Sequence, residues 1–312
     1  MEIPYLEYFG LSERPFGLTP DPYFYFETET HREALSHLGF LLGQKEGFAL
    51  IHGDVGLGKT TISRIFLSSL DSNIYNTALV LNPIMDVDEF LKEVVKELGL
   101  KNESSTRKEH FDALEQFLLE EYRKGKATIV AIDEAQLLSE ELLEFIRVLS
   151  NLETEKEKLL RIILFAQPEF FERLKQPDMR YLAQRITVTY RLKPFSEKDV
   201  GFYIAYRLVK AGAKGLPRFT KGATRMIYQA SQGYPRLVNI LCDRCILALY
   251  AKSKNIVDKQ IVSAVLKEEN IPLASIKTTH PSFHRYPIAT LSLAGIILIL
   301  LAFYFFRVLG IR

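Results

Sequence analysis

A short apolar run, Phe48-Ala49-Leu50-Ile51, stops at Gly53, and the chain then reads Gly53-Asp54-Val55-Gly56-Leu57-Gly58-Lys59-Thr60 before a helical periodicity begins. This G-x-x-x-x-G-K-[ST] spacing narrows the possible folds more than any other feature, because such a loop works only between a buried strand and a helix N-terminus. Its glycines let backbone N–H groups turn inward around phosphate oxygens, and the helix offers its positive end to them. Lys59 neutralises the outer phosphates and Thr60 supplies a hydroxyl for Mg²⁺. The candidate phosphate-binding segment therefore runs from Gly53 to Thr61.

The surrounding pattern fits that demand. From His31 to Leu42 apolar residues recur at Ala34, Leu35, Leu38, Leu41 and Leu42, the spacing of an amphipathic helix. Strand-like runs follow at 77–81, 128–132 and 159–165, with helical stretches near 59–70, 86–98, 108–123 and 139–151. Alternation of this kind predicts a parallel α/β sheet covered on both faces. The run 186–192 alternates apolar with polar residues and is expected to be a half-exposed outer strand, the fifth of an αβα core over 31–193. Residues 1–30, dense in Pro and aromatic residues, are expected to form an irregular arm packed on a domain. After Pro194 no strand-like run appears, and helices near 196–211, 220–232, 235–251 and 258–268 predict an all-helical second domain over 194–270. Ser196 and Thr220 suit helix caps, and Gly233-Tyr234-Pro235 breaks the chain before the third helix.

A second motif completes a chemistry. Ile129-Val130-Ala131-Ile132 is an apolar strand ending on Asp133 and Glu134. An acid at a sheet's carboxyl edge can hold a metal's water shell, so Asp133 joins Thr60 as a metal ligand, and Glu134 is placed to polarise an attacking water as general base. No Asn/Thr-Lys-x-Asp sequence for reading guanine occurs, which favours ATP over GTP.

With Gly233-Tyr234-Pro235-Arg236, these motifs resemble those of AAA+ ATPases. More narrowly, Pro20-Asp21-Pro22, His31-Arg32-Glu33-Ala34-Leu35, Ala166-Gln167-Pro168-Glu169, Leu182-Ala183-Gln184-Arg185 and the stretch from Gly233 to Asn239 are similar to the general (type II) secretion pathway protein A family of membrane-anchored ATPases, over about residues 5–270. The resemblance implies an AAA+ P-loop core with a helical lid, ATP and Mg²⁺ as cofactors, ATP hydrolysis in a homo-oligomer, and a role in assembling secretion, pilus or exopolysaccharide machinery with a membrane partner called protein B. It also assigns roles. Gln167 matches sensor 1, beside the γ-phosphate; Arg236 matches sensor 2, a lid cation brought onto the phosphates; Arg185 matches the arginine finger inserted into a neighbour's site, with Arg180 as runner-up. Family members often carry a peptidoglycan-binding domain after their transmembrane helix. Only six residues follow the corresponding run here, so direct cell-wall binding is not expected.

That run, 288–306, contains nineteen residues without a charge and is expected to be a transmembrane helix, since it matches a hydrocarbon core of about 30 Å. A Pro-containing linker, 271–287, precedes it and a short tail, 307–312, follows. No apolar segment near the start suggests export, so the ATPase part is expected in the cytoplasm, anchored to the inner membrane. Cys242 and Cys245 are the two cysteines and are expected to be buried reduced thiols. His280 and His284 flank Pro281, which argues against a helical metal site. The net charge of +2 gives no sign of a nucleic-acid partner. A DNA-directed AAA+ ATPase and an ATP-gated adaptor with little turnover are the alternative readings of the same motifs.

Overall fold

The computed structural model describes residues 3–44, 47–100, 106–154 and 157–268. Five parallel strands form one sheet: β1 (Phe48–His52), β2 (Tyr75–Val80), β3 (Ala127–Ile132), β4 (Leu160–Ala166) and β5 (Ile186–Arg191), in the order β2-β3-β4-β1-β5. Every residue of β1 and β4 is buried, as expected of central strands covered on both faces. The strand period of two sorts their side chains into two cores. Phe48, Leu50, Ile162 and Leu164 pack with α4 (Val87–Glu97), α5 (Arg107–Arg123) and α6 (Glu140–Leu149). Ala49, Ile51, Ile163 and Phe165 pack with α2 (Glu29–Gln44) and α3 (Lys59–Ser69) on the other side. Each large aliphatic side chain so buried contributes about 1.5–3 kcal/mol. The outer strand is where its alternation put it, at the sheet edge with only Val188 fully buried.

The boundaries of the helical region also agree with its caps. The Ser196 side chain accepts from Asp199 N–H at the start of α9 (Glu197–Lys210), and Thr220 accepts from Ala223 N–H at the start of α10 (Lys221–Ser231). Then come α11 (Pro235–Ala251) and α12 (Lys259–Leu266). The expectation of an all-helical region is corrected by two short strands, β6 (Arg218–Phe219) and β7 (Ile256–Val257), which pair in parallel. Two residues are too few to carry a strand period, and their pairing is a tertiary event.

The arm is corrected as well. It contains α1 (Pro4–Phe9), which Pro4 opens at the first helical position and Gly10 closes, and a 3₁₀ turn at Pro22–Phe24 capped by Asp21. The arm lies against the helical region. Tyr5 Oη donates to Asp243 at 2.6 Å, and Arg14 Nε donates to the same carboxylate at 3.0 Å. The Arg207 guanidinium donates to the Pro15 carbonyl and sits 4.6 Å from the Phe24 ring centroid. A Pro-rich segment cannot build its own hydrogen-bond ladder, so side chains of the helices satisfy its carbonyls.

Between the larger elements lie α7 (Pro168–Arg173) and α8 (Arg180–Ala183). Cys242 and Cys245 are free and buried, as expected, and burial pushes the Cys245 thiol up to about 12. Among the described residues no helix is long and apolar enough to cross a membrane. The linker 271–287, the apolar run 288–306, the tail 307–312 and the His280/His284 pair lie outside the described residues.

Candidate functional site

Strand order assembles the site. β4 lies between β3 and β1, so the residue after β4 emerges between the loop that follows β1 and the acids that follow β3. Gly53 N–H donates to Ala166 O at 3.1 Å and Asp133 N–H to Val80 O at 2.8 Å, which fixes both turns to neighbouring strand ends. The sequence places Gly53, Asp133 and Gln167 far apart; the sheet makes them neighbours.

The loop is arranged for an anion. Among the described residues, none of the N–H groups of residues 55–61 finds a backbone acceptor, although residues 56–61 are partly to fully enclosed. A run of unsatisfied donors at a helix N-terminus fits phosphate oxygens. Lys59, 6 % exposed, donates to Gly53 O at 2.7 Å and Asp54 O at 3.2 Å, which leaves one of its three ammonium protons uncommitted. Burial lowers the Lys59 pKa, and the carboxylates of Glu134, Asp133, Asp54 and Glu169 oppose that shift. Gly56 has φ +83°, and a Cβ there would meet Arg236 Cβ at 2.9 Å, so only glycine lets α11 lie so near the loop.

The two acids sit in different environments. Asp133 is 1 % exposed; burial raises its pKa, while the hydrogen bonds from the Thr60 hydroxyl and the Glu134 N–H pull it down. Two hard oxygen donors thus stand together, the donor chemistry that Mg²⁺ takes. Glu134 sits at φ 49° and ψ 40°, left-handed backbone that a side-chain-bearing residue adopts at a cost of about 1–2 kcal/mol. Its Oε2 accepts from Gln136 Nε2 and from Gln167 Nε2, the latter at 3.2 Å, and Gln167 N–H donates to Gln136 Oε1 at 3.0 Å. Gln167 is therefore in contact with Glu134. Gln136 was passed over in the sequence, where one amide in a short turn carries no signal of its own.

A cavity of about 200 Å³ opens above the loop. Gly56 to Thr61 and Glu134 line it from the core, Pro235 and Arg236 from the lid, and Leu18, Pro20 and Tyr25 from the arm. Arg236 N–H donates to Gly56 O at 3.3 Å, and Tyr234 Oη donates to Asp54 Oδ2 at 2.9 Å, so two lid residues are tied to the loop. His31 joins arm to loop: its Nδ1–H donates to Phe26 O at 3.1 Å, and its ring lines the same cavity. The arm's share of the wall was not legible in the sequence. Arg185 and Arg180 stand outside the cavity. Arg185 Nη2 donates to Asn151 Oδ1 at 2.8 Å, and Arg180 is exposed.

A family model described as "AAA domain" matches residues 42–174, the segment holding the loop, both acids and Gln167. This chain carries an AAA domain. It is 41% identical to general secretion pathway protein A of Aeromonas hydrophila over 252 residues, which cover 80% of this chain and 46% of that protein. The resemblance read from the motifs is thereby borne out, and the chain spans under half the length of that relative. Among solved structures it resembles the ORC2 protein of Aeropyrum pernix, with TM-score 0.60 at 16% identity, covering 82% of this chain and 72% of that one. It also resembles the RuvB Holliday junction branch migration motor of Thermotoga maritima, with TM-score 0.54 at 17% identity, covering 81% and 72%. These likenesses show the fold alone.

Two buried histidines make the stability of this fold depend on pH. Burial lowers the pKa of His31 and of His52 from the ordinary 6.5, and His52 is stacked 4.4 Å from Phe171 with no partner for Nδ1. The unfolded chain then binds more protons than the folded one below pH 6.5, so this contribution is complete above that pH and is lost as pH falls toward the lower folded values. His52→Phe keeps the stack and removes the titration. Thermal melts from neutral to mildly acid pH should show a shallower loss of Tm in this variant; parallel profiles contradict the assignment.

Proposed function

We propose that this chain is a membrane-anchored AAA+ ATPase that hydrolyses Mg-ATP in a homo-oligomer and drives assembly of a secretion or pilus-type envelope complex. The observation that carries the hydrolysis reading is the Glu134 carboxylate. Its Oε2 is held by two amides, so Oε1 keeps its lone pairs for a water proton. The amides of residues 55–61 and Lys59 grip the phosphates, Thr60 and Asp133 hold Mg²⁺, and Gln167 orients Glu134. Mg-ATP, when bound, supplies the electrophilic phosphoryl group. Arg236 brings the lid's charge to the same cavity, so lid position and phosphate occupancy are coupled in this reading.

Arg185 and Arg180 support an oligomer, because neither lines its own subunit's cavity and a cation at either position meets phosphate only in another copy. The envelope role and protein B partnership are supported by the similarity to general secretion pathway protein A, and the anchor by the uncharged run 288–306. The ORC2 and RuvB likenesses concern the fold alone and add nothing to a DNA-directed reading.

Steady-state ATPase measured against protein concentration tests the proposal. The rate per subunit should climb with concentration, and Arg185→Ala should lower it by roughly 10³-fold or more with ATP affinity retained. A flat profile that Arg185→Ala leaves unchanged removes the finger; loss in Arg180→Ala instead moves it to the runner-up.

A further inference from the structure

We propose that the face of the helical region built around β6 and β7 docks on the anionic leaflet of a lipid bilayer. The net charge of +2 conceals a separation. Residues 1–196 hold twenty-three Lys and Arg against thirty-two Asp and Glu, whereas Glu197 to Glu268 hold thirteen against five. Within this basic half, cations gather at one end. Arg218 N–H donates to Asn255 O at 3.1 Å, which sets Arg218 beside Lys254 and the turn that begins at Lys252. The aliphatic chain of Lys259 crosses Gly222, next to Lys221, so closely that a Cβ on Gly222 would come within 2.6 Å of Lys259 Cε. Arg218, Lys221, Lys252, Lys254 and Lys259 are exposed, and none forms an ion pair or side-chain hydrogen bond among the described residues. The acid in their midst, Asp258, is engaged as the cap of α12, accepting from Ile261 N–H at 3.0 Å.

Two of these charges oppose the helices that carry them, whereas Lys252, at the C-cap of α11, suits its dipole. Lys221 and Lys259 open α10 and α12, where a cation opposes the helix dipole. Leu216 and Ile256, 41% and 39% exposed, stand among the cations. A basic surface interleaved with aliphatic side chains matches a headgroup layer, where cations meet lipid phosphates and the aliphatic groups enter the acyl boundary. Sequence-tolerant nucleic-acid binding uses stacking aromatics in that place. The face also points away from the nucleotide: α11 runs seventeen residues from Pro235 at the cavity to Ala251 beside Lys252, about 25 Å. The inference rests on the proposed membrane attachment for its setting, with residues 267–287 between α12 and the run that begins at Ile288.

Full-length protein is mixed with vesicles of phosphatidylcholine alone or of phosphatidylcholine with phosphatidylglycerol, and lysine acylation is followed by mass spectrometry. Lys221, Lys252, Lys254 and Lys259 should be protected at least about fivefold on the anionic vesicles near 0.1 M salt, and the protection should vanish near 1 M. Lys92 and Lys108 of the core serve as controls and should not change. The double variant Lys252→Glu, Lys254→Glu should lose protection at Lys221 and Lys259 with its ATPase rate unaltered. Equal acylation on both vesicle types overturns the proposal. So does protection that tracks protein concentration in detergent, which marks a second copy, or protection given by duplex DNA and not by vesicles. The anchor is read separately: a chain that carbonate strips from membranes contradicts the anchor, while charge-dependent protection of the released chain still upholds the docking face.

Discussion

Glu134→Gln is expected to lower kcat for ATP hydrolysis by roughly 10²–10⁴-fold and to leave Mg-ATP affinity close to that of the unaltered chain. The substitution keeps side-chain length and the left-handed backbone at φ 49°, and an amide oxygen still meets the Gln136 and Gln167 donors. What it removes is the ability to take a proton. Lys59→Ala is the contrasting variant. It deletes the buried ammonium that keeps one proton uncommitted for a phosphate oxygen, and the loss should fall on affinity. Nucleotide-binding titrations beside single-turnover rates separate the two. If Glu134→Gln weakened binding and rate together, Glu134 would be a structural residue of the loop rather than its base. If Lys59→Ala bound Mg-ATP normally, the phosphate-gripping reading would fall with it.

The largest effect on stability is expected from Gly233→Ala. Gly233 has φ +77°, a conformation that costs an alanine about 1–2 kcal/mol, and its new Cβ would lie 2.1 Å from Phe195 O. That neighbour is backbone and cannot swing aside. Phe195 N–H donates to Gly233 O at 3.0 Å, so relief of the clash also breaks the contact that seats the third lid helix against the start of the helical region. A total loss of about 3–5 kcal/mol is expected, a large part of the 5–15 kcal/mol that holds a typical domain. Chemical denaturation monitored by far-UV circular dichroism measures it. Because Tyr234 and Arg236 follow directly, the residual folded protein should also bind nucleotide less tightly. A variant that melts within about 0.5 kcal/mol of the parent would mean that the Gly233–Phe195 contact is not formed in solution.

Much of the architecture was legible because buried parallel strands are nearly continuous apolar runs and amphipathic helices repeat every three to four residues. The runs ending at Gly53 and at Asp133 became β1 and β3, and the helices starting after Ser196 and Thr220 begin where their caps bind. Where the local pattern was too short it misled. Phe219 and Val257 belong to a two-residue ladder, and Pro4 opens a helix inside an arm that composition made irregular. The loop and the acid pair stood out because phosphate and metal binding would demand those residue types at that spacing.

Local patterning thus settled most of the elements and singled out the loop and the acid pair, since each depends on residues within one turn or strand of one another. Tertiary packing alone decided that β4 inserts between β1 and β3, which sets Gln167 on Glu134, and that the arm folds back over the lid to wall the cavity. Contacts such as Tyr5 with Asp243 or Tyr234 with Asp54 join residues 238 and 180 positions apart, and no periodicity encodes them. They arise when polar groups buried by packing must find partners, which is a property of the assembled chain.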